Sequence, residues 1–276
     1  MTELATGPVA RRKVPVVAVV RGAYRDVFGR PLRLCKAVIL PLLIIVGLSV
    51  AALPVEEAES GIHESLLFVQ FLPYVFLGVC WNRLELLGGE LELLAGSAAY
   101  RRYLLSGGYS LLVLGLLILA PFAAGGFAHA MSLGEGIAVL TGVVTFLLAA
   151  WPTVRLCLVF PATAIDEGLG PIAAWRLGRG NGWRLFTACL ITSLPMLALA
   201  VVWILVWIGF FQHIADLPGD AILSDFSTLL QFLAVAAVAN AIQLIGFTLI
   251  VSVFAKAYAQ LSGWGAPREE ILERFE

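Results

Sequence analysis

Charge is scarce in this sequence. Asp, Glu, Lys and Arg make up 13% of its 276 residues, and hydrophobic residues 60%, whereas soluble domains carry roughly 25% charged residues. A chain so poor in charge cannot turn a polar surface to water on every side, so a soluble globular fold is excluded. The minimal constellations of common chemistries are also missing. No HExxH, GxSxG, GxxxxGK[ST] or CxxC occurs, which removes zinc-protease, serine-hydrolase, nucleotidase and thiol-redox readings. Histidine is limited to His63, His129 and His213, in three separate loops beside carboxylates such as Glu64 and Asp216. The ligand types suit a divalent cation, but single residues in three loops have no diagnostic spacing. Neither a metal nor a cofactor is expected.

Cysteine is sparse as well. Cys35, Cys80, Cys157 and Cys189 fall at or near the cytoplasmic ends of predicted spans, where thiols stay reduced, so they read as packing residues and not as a disulfide framework. A cleaved leader is not expected at the start of the chain. The apolar run after Arg11, Arg12 and Lys13 is only seven residues, 14–20, before Arg21 and Arg25 interrupt it.

What the sequence has in plenty is long apolar runs. Six of them, at 37–53, 65–81, 105–124, 137–160, 186–211 and 228–254, approach or exceed the length needed to cross about 30 Å of hydrocarbon at 1.5 Å per residue. They predict an all-α integral membrane protein with six transmembrane helices. The second run is short and contains Ser65, Gln70 and Pro73, which would also suit a re-entrant segment.

The charge distribution favours six full crossings. With all six, each of the 18 Lys and Arg residues falls on one side, while the opposite loops carry Glu56, Glu57, Glu59, Glu64, Glu135, Asp216, Asp220 and Asp225. Basic residues in short loops resist translocation, so both termini are predicted to be cytoplasmic. The net charge of −1 thus conceals a basic inner and an acidic outer face. That asymmetry points to lipid headgroups and gives no reason to expect nucleic acid.

A register recurs along the chain. Tyr24-Arg25, Tyr100-Arg101 and Trp175-Arg176 stand 76 and 75 residues apart, each shortly before a predicted hairpin. At an offset of 151, Gly29 matches Gly180, Arg33-Leu34 matches Arg184-Leu185, and Ala37 matches Ala188. These matches predict three hairpins, each preceded by a cytoplasmic amphipathic helix, in a pseudo-threefold repeat of 14–83, 84–166 and 167–262 within one transmembrane domain, 1–262. Residues 263–276 form a short cytoplasmic tail. Aromatic-arginine pairs are also favoured at membrane interfaces in their own right.

The first surface segment places Val20, Tyr24, Val27 and Phe28 on one face, with Arg21 and Arg25 at its flank. The second carries a stripe of Leu84, Leu87, Leu91 and Leu94, with Glu85 and Glu92 on another face and a bend at Gly88-Gly89. The third opens at Pro171 and closes in a stretch of Gly178, Gly180, Asn181 and Gly182.

Within the spans, Gln70, Asn240 and Gln243 are amides in an apolar setting. They read either as interhelical hydrogen bonds or as the lining of a polar cavity. No carboxylate is expected inside a span. Prolines at 41, 73, 121, 152, 161 and 195 predict kinks in five of the six spans.

The stretch RLCLVFP at 155–161, continuing through Asp166 to AWRLGRGNGWRLF at 174–186, resembles the bacterial membrane domain that accompanies some glycerophosphoryl diester phosphodiesterases, and its stand-alone relatives. The resemblance implies a polytopic protein of the bacterial inner membrane acting in lipid or envelope homeostasis or in the passage of an amphiphile. The catalytic barrel of the fused relatives is absent, so no catalytic residue is carried over. The expected function is nonenzymatic, with Arg21, Arg25, Arg101, Arg176, Arg179 and Arg184 engaging anionic headgroups or a protein partner at the cytoplasmic face. The alternatives are a small transporter lined by Gln70, Asn240 and Gln243, and an intramembrane lipid-modifying enzyme.

Overall fold

The computed structural model describes residues 13–53, 69–88, 97–131, 134–210, 217 and 219–264. Among these the chain is helical and contains no strand. In chain order the helices are α1 (Val16–Phe28), α2 (Pro31–Ala52), α3 (Phe71–Leu87), α4 (Ser97–Ala130), α5 (Glu135–Leu156), α6 (Val159–Ala164), α7 (Pro171–Leu177), α8 (Gly182–Phe210), α9 (Gly219–Ser224) and α10 (Phe226–Ser262).

Four stretches, Pro31–Ala52, Gly136–Ala164, Gly182–Gly209 and Phe226–Ser262, are long and apolar enough to cross a membrane. They coincide with the first, fourth, fifth and sixth predicted spans and mark a membrane-embedded protein. The second and third predicted spans fall on α3 and α4, which are outside those four. Lipid is the natural solvent for these surfaces. Only 6% of the apolar window of α8 is buried, and Leu197, Val202 and Leu205 point outward; so large an apolar face needs an apolar neighbour.

Local sequence sets the boundaries. Pro31 and Pro171 open α2 and α7 at the first turn, where a missing N–H costs nothing. Asp225 caps α10, its carboxylate accepting from the backbone N–H groups of Ser227 and Thr228. Pro41, Pro121, Pro152 and Pro195 lie inside continuous helices. Pro161 behaves differently. The chain breaks at 157–158, between α5 and α6, and Phe160 donates to Cys157 O at 3.2 Å. The ring of a proline collides with the carbonyl four residues back, and here that carbonyl belongs to Cys157.

The core is built around α10, which packs on α1, α2, α3 and α8. One part gathers Val19, Leu158, Leu185, Phe254 and Tyr258, and the other Val27, Leu77, Trp81, Leu244 and Leu249. Both draw on the second half of α10. Its 37 residues extend about 55 Å at 1.5 Å per residue.

The inner stripe of α1 differs from the predicted one. Val19, Ala23 and Val27 are buried, whereas Phe28 is 49% exposed, because α1 rests on α8 and α10 and the protein contact sets its rotation. Glu85 is a second correction. It belongs to the last turn of α3, and its side chain is 6% exposed instead of lying on an acidic surface.

At the positions that suggested a repeat, Leu34 and Leu185 are both buried, as are Ala37 and Ala188. Gly29 and Gly180, however, differ, with φ of −73° and +83°. Outside the described residues lie Arg11, Arg12, Glu56, Glu57, Glu59, His63, Glu64, Ser65, Gly89, Leu91, Glu92, Leu94, His213, Asp216 and the tail from residue 265. The side chains of Tyr100, His129, Glu135 and Asp220 are likewise not described.

Candidate functional site

The basic ends of the long helices meet at one end of the bundle. Arg83 at the end of α3 donates to Ala164 O at 2.9 Å. Arg102 near the start of α4 donates to Asp166, at 2.7 and 2.9 Å from its two oxygens. Val14, just before α1, donates its N–H to Asn181 Oδ1 at 2.9 Å, while Arg184 at the start of α8 donates to Val14 O at 3.1 Å. Trp264, just beyond α10, donates to Leu86 O at 3.1 Å. These bonds join the segment before α1 and the ends of α3, α4, α6, α8 and α10.

Lys256 stands at the centre of a partly buried ionic cluster. It pairs with Asp26 of α1 and lies 3.8 Å from Glu85 of α3. Glu85 in turn accepts from Trp81 Nε1 at 3.0 Å and from the hydroxyl of Ser252. Gly22 makes room for this arrangement, since a Cβ there would stand 3.0 Å from Cδ of Lys256. Buried charges persist only when paired and hydrogen-bonded; Lys256 pairs with both carboxylates, although Glu85 Oε2, 3.8 Å from the ammonium, accepts no hydrogen bond among the described residues.

A second cluster is aromatic. Arg155, 6% exposed, places its guanidinium 4.4 Å from the ring centre of Trp175 and 5.0 Å from that of Trp151, and donates to Gly178 O at 3.2 Å. A Cβ at Gly182 would lie 2.9 Å from Trp151 Nε1. The run that carried the family resemblance therefore folds as a cage around one arginine. Its glycines allow rings and backbone to approach closely.

The described acidic groups of this end are engaged by partners within the protein. Asp26 and Glu85 face Lys256, Asp166 faces Arg102 and Arg83, and Glu167 accepts from Tyr258. The expected headgroup contacts are placed otherwise. Arg21, Arg25, Arg101, Arg176, Arg179 and Arg184 are all exposed, and none forms an ion pair among the described residues. Between the arginines of α1 and α8, Tyr24 donates to Thr192 O at 2.9 Å, and burial raises its phenol above the ordinary range.

The three expected intramembrane amides do not share one cavity. Gln70 donates to Ser49 Oγ at 3.4 Å, Gln243 accepts from Tyr74 at 3.0 Å, and Asn240 donates to Ala236 O of its own helix at 2.8 Å. The first two join helices. The last only satisfies itself.

A partly enclosed cavity of about 310 Å³ lies instead between α3, α4, the α5–α6 break and α10. Its walls are mainly Phe, Val, Leu and Ile, with Asn82 and Ser106 among the few polar members. Sequence reasoning missed Asn82 because the predicted span stopped one residue before it. It missed the Lys256 cluster because Asp26, Glu85 and Lys256 lie far apart in the chain.

Searches of protein-family models, of curated proteins and of solved structures return no match to this chain.

Proposed function

We propose that this protein is a nonenzymatic component of a bacterial inner membrane that engages anionic lipid headgroups through its basic end, in lipid or envelope homeostasis. One observation carries this reading. The described carboxylates of that end are paired within the protein, while Arg21, Arg25, Arg176 and Arg179 stay exposed and have no ionic partner among the described residues. An unbalanced cationic surface beside apolar helices fits anionic headgroups, at about 1 kcal/mol for each arginine near the surface.

In this reading the basic end is cytoplasmic, and both chain termini lie on that side. The arginines are held on a rigid support, since Val14 is tied to Asn181 and Arg184. The assignment to lipid handling also follows from the resemblance of 155–186 read in the sequence, which the searches of family models and curated proteins do not bear out.

Native mass spectrometry of the full chain released from mild detergent tests the proposal. The wild type should retain phosphatidylglycerol or cardiolipin in preference to phosphatidylethanolamine. The variant Arg21→Gln, Arg25→Gln, Arg176→Gln, Arg179→Gln should lose the preference while keeping its helical content. Equal retention of anionic and zwitterionic lipids by the wild type would overturn it.

A further inference from the structure

The cavity between α3, α4 and α10 is separate from the exposed arginines, and its two ends differ in chemistry. On α3 it runs from Phe71 to Asn82 and on α4 from Leu117 to Ser106, about 16 Å along each helix at 1.5 Å per residue. The two helices are in register near its polar end. Phe76 and Tyr103 stack with centroids 5.8 Å apart, and Cys80 Sγ lies 3.7 Å from the Tyr103 hydroxyl. Asn82 and Ser106 therefore occupy the end nearer the basic cluster, while Phe71 and Leu117 close the other.

Asn82 is 2% exposed and Ser106 is 4% exposed, yet Asn82 Oδ1 and Ser106 Oγ have no hydrogen-bond partner among the described residues. The amide orientation is fixed, because Nδ2 donates to Gly78 O at 2.8 Å and a flipped amide would set two acceptors against each other. An unsatisfied acceptor and an unsatisfied hydroxyl thus belong to two residues that line the same cavity. Buried polar atoms are nearly always satisfied, and an orphan pair calls for a partner. No Lys, Arg, Asp or Glu lines the cavity, so a charged headgroup would be left without a counter-ion at high cost.

We infer that this cavity binds an uncharged amphiphile bearing a hydroxyl head, of the acylglycerol or long-chain alcohol class. Its hydroxyl donates to Asn82 Oδ1 and exchanges a hydrogen bond with Ser106 Oγ, and its chain lies along Val113 and Phe247 toward Leu117. The volume is at the lower end of the range for small-molecule pockets, which are mostly apolar with a few convergent polar groups. One chain and a small head fit that description.

Photolabelling of the full chain in nanodiscs tests the inference with three probes of equal chain length, each carrying a diazirine near the chain end. The probes are a monoacylglycerol, its analogue with both hydroxyls methylated, and a fatty acid held ionised at pH 8. The monoacylglycerol should label peptides containing Val113, Leu117 and Phe247, and the methylated and ionised probes about tenfold less, as two buried atoms left unpaired would require. Val113→Trp, which fills the space, should remove the labelling and leave the thermal melt in place. The arginine-to-glutamine variant should label like the wild type, so this inference and the headgroup reading fail independently. Equal labelling by all three probes, or labelling that survives Val113→Trp in a variant that melts normally, would mean annular lipid only and overturn the site.

Discussion

Lys256 of the last helix pairs with Asp26 of the first, two residues separated by 230 positions in the chain. The same ammonium lies 3.8 Å from Glu85, so one cation holds α1 and α3 against α10. Lys256→Met would leave two carboxylates facing each other with no counter-ion. Removing one member of a fully buried pair costs roughly 3–5 kcal/mol; Lys256 and Asp26 are partly exposed, at 23% and 31%, and about 2 kcal/mol is expected. A lowered melting temperature in detergent should recover in Lys256→Met, Glu85→Gln, Asp26→Asn. A single Lys256→Met variant that melts like the wild type would show that the cluster does not hold the helices.

The Arg155 cage makes a prediction that separates charge from shape. Lysine keeps the charge but loses the flat guanidinium that lies against Trp151 and Trp175. Arg155→Lys should therefore destabilise nearly as much as Arg155→Leu, by about 2 kcal/mol for desolvated cation–π contact and a lost hydrogen bond. Tryptophan emission should shift red in both. Full retention by lysine would assign the site to simple charge pairing.

Asp166 has φ of +64° and receives Arg102. Asparagine tolerates the left-handed region and alanine does not, at roughly 1–2 kcal/mol. Asp166→Asn and Asp166→Gly should both melt above Asp166→Ala, although all three lose the ion pair. If alanine equals glycine, the backbone at 166 carries no strain worth measuring.

At the far end of α10, hydrogen bonds from the Thr228 hydroxyl and backbone, and from the Ser227 hydroxyl, hold the Asp225 carboxyl below its ordinary range. A carboxylate depressed in the folded state stabilises above its unfolded pKa of about 3.9 and loses that contribution as pH falls through the depressed value. Amide exchange at Ser227 and Thr228, corrected for intrinsic rate, should stay slow from pH 7 to about 4 and rise only below that. Asp225→Ala should show the raised rate at every pH.

The membrane character was legible in the sequence because apolar length is a one-dimensional signal, and four of the six predicted runs fall on helices long and apolar enough to cross a membrane. The three amides were legible only as polar groups in need of partners: Gln70 and Gln243 bond to Ser49 and Tyr74, whereas Asn240 bonds to its own helix. Glu85 was not legible. It stands among Leu84, Leu86 and Leu87 at a helix end, and only the arrival of Lys256 and Ser252 from the far end of the chain explains its burial. The cavity was equally hidden, because its walls are ordinary Phe, Val and Leu brought together from α3, α4, the α5–α6 break and α10.

The length of α10 has a mechanical consequence. A rod of about 55 Å exceeds a hydrocarbon layer of about 30 Å even with headgroups on both sides, so it must tilt or protrude. Lys256 and the tightly packed residues around it pin one end of that rod to α1 and α3. A thinner or thicker bilayer then has to be accommodated at the opposite end, where the apolar contacts of α10 are few and Asp225 supplies the cap.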